Sequence, residues 1–398
     1  MNGINRIENE IILHGRRNNQ AWFAPNIAVV PRAGEGGCPE IMVTAQQLTG
    51  NDIGPGHYLK TADMGKKWTP PMENQGLFKI PLEDDVFERP GLFWIYHKKS
   101  NKLLGIGNTY FTRDRGDETG FKKEEYVFGR KRSQIHAVWN DEKNDPEPWQ
   151  RMNLPEKLNW MGGVSIFAYQ NHECEDGSLL LPISHRPGDK PPCVGTIRCE
   201  FDGKKVVIID SGKTVGTGTS PGACEPSLVE FVGRYFLTIR SASGGDFRMY
   251  HAASEDGLNW EDFSPWCWDD GTEIETENTQ QHWLRRANSL YLVYTRKSEL
   301  SNGVFRSRAP LWMAKVDIKT LRLIRESEVV IFPEKRARMC NFCVANITSK
   351  ESWIVTGEWL EGMFPDKKKG MRFYVENSTI NYIQYVGDLL LARIYWKD

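Results

Sequence analysis

Two short segments with similar patterns constrain the fold of this 398-residue chain more than any other feature. Residues 61–68 read TADMGKKW, and residues 254–260 read SEDGLNW, which has one residue fewer between the hydroxyl residue and the Asp. In such a pattern the hydroxyl and Asp side chains hold the backbone of a tight turn, and the Gly adopts a conformation that a Cβ disfavours. The Trp packs beneath the adjacent sheet. Both segments follow strand-forming residues, so each is predicted to be a hairpin turn in a repeated β unit.

Both segments resemble the Asp box, a turn found between the third and fourth strands of a β-propeller blade. Strand-like runs recur along the whole chain at intervals of about 50 to 60 residues, and windows with helical periodicity are hard to find. The sequence therefore predicts an all-β fold, a single sialidase-like β-propeller domain over residues 1–398, with four-stranded antiparallel blades. Seven blades are the preferred number and six the alternative, and an N-terminal strand is expected to complete the last blade.

The charge and hydropathy of the chain exclude several classes of partner. The 51 Lys and Arg residues nearly balance the 52 Asp and Glu residues, so no overall field attracts nucleic acid or an anionic membrane. No run of 18 apolar residues is present, so we expect no membrane-spanning helix. The chain as given starts without an apolar signal segment, and a cytoplasmic location is the expectation. The sequence leaves the oligomeric state open.

The eight cysteines do not indicate a disulfide framework in a chain of this size, and buried free thiols are the expectation. Cys340 and Cys343 form a lone CxxC with neither a second pair nor a spaced His pair, which does not fit a zinc site. HxH and HExxH patterns are also missing from the sequence. We therefore expect neither a metal nor another cofactor.

Function is expected where polar side chains project into the central mouth of the propeller. Four groups of segments concentrate such side chains, at residues 51–57, 224–227 with 238–241, 278–283 with 294–297, and 305–310 with 336–342. Several arginines converging on one mouth suit an acidic sugar, because a guanidinium binds a carboxylate through two parallel hydrogen bonds. The alternative for each arginine is an ion pair with an acid between blades.

Histidine is the residue type expected to transfer protons near neutral pH, and a neighbouring Trp offers a platform for a sugar face. The candidate catalytic residues are His57, His282, Tyr294 and Glu225. The candidate substrate-binding residues are Arg240, Arg296, Arg308, Arg336, Arg338, Gln281, Trp283 and His185. The expected partner is an acidic oligosaccharide.

Residues 225–228, 233–236, 278–283, 290–296, 308–311, 333–338 and 352–355 together resemble the Asp-box propellers of the sialidase-like group. Within that group the similarity is greatest to seven-bladed enzymes that act on terminal rhamnose linked to glucuronate, which include α-L-rhamnosidases and rhamnose-glucuronate lyases. The resemblance covers about residues 40–360. It implies a carbohydrate-active enzyme in which histidine is the main proton-transfer group.

The chain also departs from these relatives. Exo-sialidases resemble one another in an Arg-Ile-Pro segment that begins an arginine triad, whereas Phe23, Ala24 and Pro25 occupy the corresponding region here. The first triad arginine is therefore missing. Against the rhamnose-glucuronate relatives, Ser307 and Asn108 stand where histidines are expected.

Two reactions are compatible with the candidate residues. In β-elimination, arginines neutralise a uronate carboxylate while a His or Tyr removes the C5 proton. In hydrolysis an acid and a base act on either side of the bond, for which Glu225 and Asp246 are the candidate carboxylates. The excess of His and Arg over acids favours a lyase that cleaves a rhamnose-like terminal sugar from a uronic acid. The alternatives are a hydrolase of the same linkage, an exo-sialidase with Tyr294 as nucleophile, and a non-catalytic carbohydrate-binding propeller.

Overall fold

The computed structural model describes residues 3–18, 20–31, 35–47, 54–116, 122–219, 222–242, 247–335, 337–360 and 387–397. Six antiparallel sheets within these ranges form a six-bladed β-propeller, which confirms the predicted all-β fold. The preferred number of seven blades is wrong, and the six-bladed alternative is correct. Residues 80–152 are longer than one predicted repeat of 50 to 60 residues, yet they form a single sheet of seven strands. The spacing of strand-like runs therefore overestimated the number of blades.

The strands are numbered in chain order and assigned to blades by their pairing. The chain begins with strand β1 (Ile4–Leu13) and a short helix α1 (Gly15–Asn18). Blade 1 consists of β2 (Trp22–Val30), β3 (Glu40–Gln47), β4 (Gly56–Thr61) and β5 (Met72–Glu73). Blade 2 consists of β6 (Ile80–Pro81), β7 (Val86–His97), β8 (Lys102–Gly116), β9 (Lys122–Tyr126), β10 (Gln134–Asn140), β11 (Asp145–Pro146) and β12 (Gln150–Met152). Blade 3 consists of β13 (Gly163–Ile166), β14 (His172–Glu173), β15 (Leu179–Arg186), β16 (Cys193–Phe201) and β17 (Val206–Ser211).

The second half of the chain forms the other three blades. Blade 4 consists of β18 (Ala223–Phe231), β19 (Arg234–Ser241), β20 (Met249–Ser254) and β21 (Glu261–Pro265). Blade 5 consists of β22 (His282–Arg286), β23 (Ser289–Tyr294), β24 (Leu311–Asp317), β25 (Arg322–Leu323) and β26 (Val329–Phe332). Blade 6 contains β27 (Ala337–Asn346), β28 (Glu351–Leu360) and β29 (Leu389–Trp396). The described loops contain 3₁₀ turns at Glu35–Gly37, Glu156–Met161, Glu299–Ser301, Phe305–Ser307 and Arg325–Ser327.

The N-terminal strand closes the ring. β1 pairs antiparallel with β29, for example Ile7 opposite Ile394, and so becomes the fourth strand of blade 6. The prediction that an N-terminal strand completes the last blade is confirmed. This pairing joins the two ends of the described chain through backbone hydrogen bonds.

The core lies between adjacent blades and is rich in aromatic side chains. Between blades 4 and 5, Trp266 and Trp283 pack at a ring distance of 5.6 Å in one cluster with Tyr294 and Trp312. Trp266 is fully buried and Trp283 is 1% exposed, so these rings fill the wedge between the two sheets. Replacing either Trp by Ala would cost about 3 to 5 kcal/mol.

The two segments that led to the propeller prediction lie where a blade's third strand turns into its fourth. After β4, the Gly65 amide donates to Thr61 Oγ1 at 2.9 Å and the Lys67 amide donates to Asp63 Oδ1 at 3.0 Å. Gly65 has a φ of 75°, in the region that favours glycine. A Cβ on Gly65 would also lie 2.3 Å from Nη2 of Arg393.

The corresponding turn after β20 uses the same contacts. The Gly257 amide donates to Ser254 Oγ at 2.9 Å, and the Leu258 amide donates to Asp256 Oδ1 at 2.8 Å. The Trp260 side chain at the end of this turn is fully buried and donates through Nε1 to Thr196 of blade 3 at 3.0 Å. Each turn is therefore fixed by its own side chains, as the sequence predicts.

All eight cysteines are free thiols. Cys199, Cys340 and Cys343 are buried and the others are partly exposed, so the expectation of buried thiols is correct for three of the eight. Across the part of the chain that the structure describes, no helix has the length and apolar character needed to cross a membrane.

Candidate functional site

The first strands of the blades line the centre of the propeller. β2 contacts β7 and β27, while β22 contacts β18 and β27. We call the end of the central channel at which these strands begin the mouth, and its described residues include Phe23, Glu225, Arg308 and Arg338. Side chains from several blades meet there.

Three of the first strands contain a β-bulge near their N-terminal end, close to the mouth. The pairing register shifts between Phe23 and Asn26 in β2, between Cys224 and Ser227 in β18, and between Met339 and Phe342 in β27. Glu225 has a φ of 48° within its bulge, which is an uncommon conformation for a residue with a Cβ. A bulge redirects a side chain, and backbone strain of this kind is concentrated at functional sites.

Glu225 and Arg240 form an ion pair within blade 4. Arg240 Nη2 lies 3.0 Å from Glu225 Oε1, and Arg240 Nη1 donates to the Asn278 carbonyl at 2.8 Å. The second carboxylate oxygen of Glu225 is buried and has no hydrogen-bond partner within the described residues. One carboxylate oxygen of Glu225 therefore accepts no hydrogen bond. Burying such an oxygen destabilises the protein unless a ligand or a water donates to it.

Arg308 lies at the centre of a group of guanidinium side chains. Burial, followed by the positive charges of Arg338, Arg240 and Arg306, lowers the pKa of Arg308 to about 10. Arg308 is 9% exposed, and Nη1 donates to Oδ1 of the neutral Asn341 at 3.3 Å. Its Nε has no acceptor among the described residues. Since a buried guanidinium normally has an acidic partner, this group is suited to binding an anion.

Arg338 belongs to the same group and is held by aromatic rings. Its guanidinium carbon lies 4.1 Å from the ring centre of Trp359 and 4.9 Å from that of Phe305. Such stacking orients a planar guanidinium, because the positive charge is attracted to the ring face. Three of the predicted substrate-binding arginines, Arg240, Arg308 and Arg338, are thus brought together.

Tyr169, which no sequence pattern marks, lies near Asn341, the residue that accepts from Arg308. It follows β13 and is half-buried, with its ring 4.1 Å from that of Phe93 and 5.2 Å from that of His282. Burial, followed by the negative charge of Glu225, raises the pKa of Tyr169 well above its usual value, while Asn341 partly offsets this rise. The phenol therefore stays protonated at neutral pH, next to a carboxylate.

Gln170 fixes the position of this tyrosine. Its side-chain amide donates to the Trp283 carbonyl at 2.6 Å and its carbonyl accepts from the Trp283 amide at 2.7 Å. Both bonds connect blade 3 to blade 5 across the propeller. The segment between β13 and β14, which carries Tyr169, is consequently held against the first strand of blade 5.

The predicted histidines lie in less favourable places. His282 is 1% exposed, shares a 2.6 Å hydrogen bond with Ser227 Oγ, and has its pKa lowered to about 3 by burial. A buried neutral imidazole supports the Tyr169 ring but does not suit proton exchange with a ligand, which argues against the predicted role. His57 is half-buried near the start of β4, with Nδ1 3.1 Å from the Pro55 carbonyl and its ring 5.4 Å from that of Trp22. Burial lowers its pKa as well.

Arg296 and Tyr294 form a separate buried cluster. Arg296 donates to both carboxylate oxygens of Glu328, at 2.8 and 2.7 Å, and Tyr294 donates to the same carboxylate at 2.6 Å. The Arg296 guanidinium also stacks on Trp312 at 4.6 Å. This is the pairing alternative considered for each arginine, and it leaves neither side chain positioned to bind a ligand at the mouth.

The other predicted contacts are also satisfied inside the protein. Trp283 donates through Nε1 to the Ser227 carbonyl at 2.9 Å and is 1% exposed, so it offers no platform for a sugar. Gln281 bonds to Thr238 Oγ1 at 3.2 Å and to the Thr279 carbonyl. His185 is buried, with its two ring nitrogens near the Met161 carbonyl and Thr214 Oγ1. Arg336 and Asp246 lie outside the described residues.

Within the described residues, no group of three or more His, Cys, Asp or Glu side chains is placed to hold a metal ion. The mouth instead offers guanidinium groups, the Glu225 carboxylate and the Tyr169 phenol. This set can bind an anion, and the charge of Glu225 acts on the Tyr169 phenol.

No protein-family model and no curated protein sequence matches this chain. Solved structures do match it. A protein of unknown function from Dyadobacter fermentans aligns over 100% of both chains, at 13% identity and a TM-score of 0.62. The Hadza microbial sialidase Hz136 aligns over 88% of this chain and 66% of its own, at 12% identity and a TM-score of 0.57.

A third similar structure is Trypanosoma rangeli sialidase in complex with sialic acid. It aligns over 97% of this chain and 58% of its own, at 11% identity and a TM-score of 0.54. This chain has a sialidase-like propeller fold. At 11 to 13% identity the similarity shows the fold, and the propeller spans little more than half of the trypanosomal sialidase.

Proposed function

We propose that this sialidase-like propeller binds a carboxylate-bearing sugar at its mouth and hydrolyses the glycosidic bond of that sugar. The observation that carries the proposal is Arg308, which is nine-tenths buried among other arginines and donates to a neutral amide. A carboxylate that accepted from Arg308 would place a negative charge where positive charges converge. The sialidases among the similar structures, one of them solved with sialic acid, support an acidic ligand.

The proposed reaction uses Tyr169 and Glu225. Sialidases are glycosidases with a Tyr nucleophile. Tyr169 would attack the anomeric carbon and displace the leaving sugar, while Glu225, whose charge already acts on the phenol, accepts the phenolic proton and returns it to the oxygen of the leaving sugar. Water would then displace Tyr169 from the anomeric carbon and complete the hydrolysis. This assignment replaces Tyr294, which donates to Glu328 inside blade 5. We also propose that the turns at residues 61–68 and 254–260 are Asp boxes, on the basis of their hydrogen bonds.

β-Elimination at a uronate, including the rhamnose-glucuronate linkage indicated by the resemblance, is the second candidate. It is favoured by the same arginine group, because neutralising the carboxylate acidifies the adjacent C–H bond. Glu225 would remove the C5 proton, and the protonated phenol of Tyr169 would give a proton to the oxygen of the sugar that leaves from C4. The absence of the first arginine of the sialidase triad, at Phe23, also keeps this candidate open.

The test is incubation with rhamnosyl-glucuronate, other uronate-containing and sialyl oligosaccharides. Release of reducing sugar without ultraviolet absorbance from a C4–C5 double bond supports hydrolysis, and a rise in that absorbance supports elimination. Binding without either product would support the carbohydrate-binding alternative. If no acidic oligosaccharide binds, the proposed function is wrong.

A further inference from the structure

The two sides of the mouth differ in chemistry. On the side formed by blades 1 and 6, the rings of Phe23 and Trp359 pack at 5.2 Å. They form a small apolar cluster with Ala21 and Cys340 at the start of β2 and β27. Beside this cluster lies the arginine group around Arg308, to which Arg338 of blade 6 belongs.

Phe23 differs from most of the residues around it in its exposure. Its neighbours Ala21, Trp22 and Asn26 are buried, whereas Phe23 is partly exposed. A flat aromatic ring that stays partly exposed at the edge of a concave, charged site is available to a ligand, and such sites combine apolar walls with a few polar groups.

Arg338 connects the two sides. Its guanidinium carbon lies 4.1 Å from the Trp359 ring, and its charge acts on Arg308. Phe23 and Arg338 both pack on the Trp359 ring, so the exposed ring of Phe23 lies beside the guanidinium group.

We infer that Phe23, backed by the buried ring of Trp359, forms an apolar wall that receives a C–H face of the sugar whose carboxylate binds at Arg308. This inference rests on the proposed function and adds the orientation of the ligand. A pyranose ring carries C–H groups on its faces and polar groups at its edge, which matches an aromatic wall beside a polar site. The mouth consequently distinguishes a sugar acid from a small carboxylate that has no ring.

The experiment compares the dissociation constants of a sugar acid and of acetate by NMR titration. The sugar acid is methyl glucuronide or a methyl sialoside, whichever binds the wild-type protein more tightly. Phe23→Ala is expected to weaken sugar-acid binding about tenfold and leave acetate binding unchanged, because the lost contact is to the ring face. Phe23→Tyr retains the flat ring and is expected to bind both as the wild type does.

Two further variants keep the outcomes distinct. Phe23→Leu, which still packs on Trp359, replaces Phe23→Ala if thermal unfolding shows that the Ala variant does not fold. Arg308→Gln is expected to weaken the binding of both ligands. Suppose that Arg308→Gln weakens the binding of both ligands, while Phe23→Ala, or Phe23→Leu in its place, weakens the binding of neither or of both equally. In that case the apolar wall is wrong and the proposed function stands. If Arg308→Gln weakens neither ligand, the proposed function itself fails.

Discussion

Nη1 of Arg308 lies 3.3 Å from Oδ1 of Asn341, so an arginine of blade 5 is held at the mouth by an amide of blade 6. An amide oxygen accepts a hydrogen bond but carries no charge, so it orients the guanidinium without neutralising it. With a pKa of about 10, Arg308 stays positively charged at neutral pH. This contact joins two blades and preserves a charge for a ligand.

Replacing Arg308 should weaken the binding of an acidic sugar. We expect Arg308→Gln to raise the dissociation constant about 10- to 100-fold, because a hydrogen bond to a charged group contributes about 1.5 to 3 kcal/mol. Isothermal titration calorimetry measures the change. Arg234→Gln is the control, since this exposed arginine pairs with Glu255 at the far end of blade 4. Equal weakening in the two variants would contradict a specific role for Arg308.

Removing the hydroxyl of Tyr169 should abolish turnover without preventing binding. Tyr169→Phe keeps the ring contacts with Phe93 and His282, so the fold and the ligand affinity are expected to be retained. Product release should fall at least about 100-fold if the phenol transfers a proton or forms a bond to the sugar. Tyr235→Phe, at the start of β19 away from the mouth, is the control and should release product at the wild-type rate. Full activity of Tyr169→Phe would exclude the proposed chemistry.

Removing the acid that pairs with Arg296 should affect stability and leave ligand binding unchanged. Glu328 accepts from both Arg296 and Tyr294, so Glu328→Gln leaves a largely buried guanidinium without its ion pair. We expect the free energy of unfolding to fall by about 3 kcal/mol in urea titrations. The exposed neighbour Glu326 provides the control, as Glu326→Gln should change stability little. If Glu328→Gln instead lost ligand binding at unchanged stability, Arg296 would be a substrate-binding residue, as the sequence predicts.

The stability of the protein should fall as the solution becomes acidic. The pKa of His282 is about 3 in the folded protein against 6.5 for the free side chain, so between these values the unfolded state binds more protons. His282 therefore destabilises the fold below pH 6.5, and the effect grows as the pH falls toward 3. At about pH 4.5 its contribution is about 2 to 3 kcal/mol.

Urea titrations at neutral and acidic pH test this prediction. His282→Gln should lose less stability on acidification than the wild-type protein. His14→Gln, at an exposed position, should follow the wild type. If His282→Gln and the wild type lose equal stability, the neutral buried state of His282 is not the cause.

Glu225 and Arg240 show how much of the site local sequence predicts. They lie on paired strands joined by a short hairpin, and the sequence identifies them as a carboxylate and a guanidinium on an inner strand and its neighbour. Arg296 shows the opposite case. Its partner Glu328 lies 32 residues further along the chain, and no local pattern distinguishes this structural arginine from Arg308.

The sequence alone determined the all-β propeller and the two fixed turns, because these depend on strand periodicity and on contacts between residues close in sequence. The closure of the ring by β1 joins distant residues, and it was expected only because propellers commonly close in this way. Only the tertiary structure decided the six blades, the burial of His282 and the pairing of Arg296. It also placed Tyr169 near His282 and Glu225, through hydrogen bonds from Gln170 to Trp283, 113 residues away. A propeller mouth is formed by one short segment from each blade, so its composition depends on how far each strand bulges and which side chains find partners. These properties are set by packing between blades, which sequence spacing does not encode.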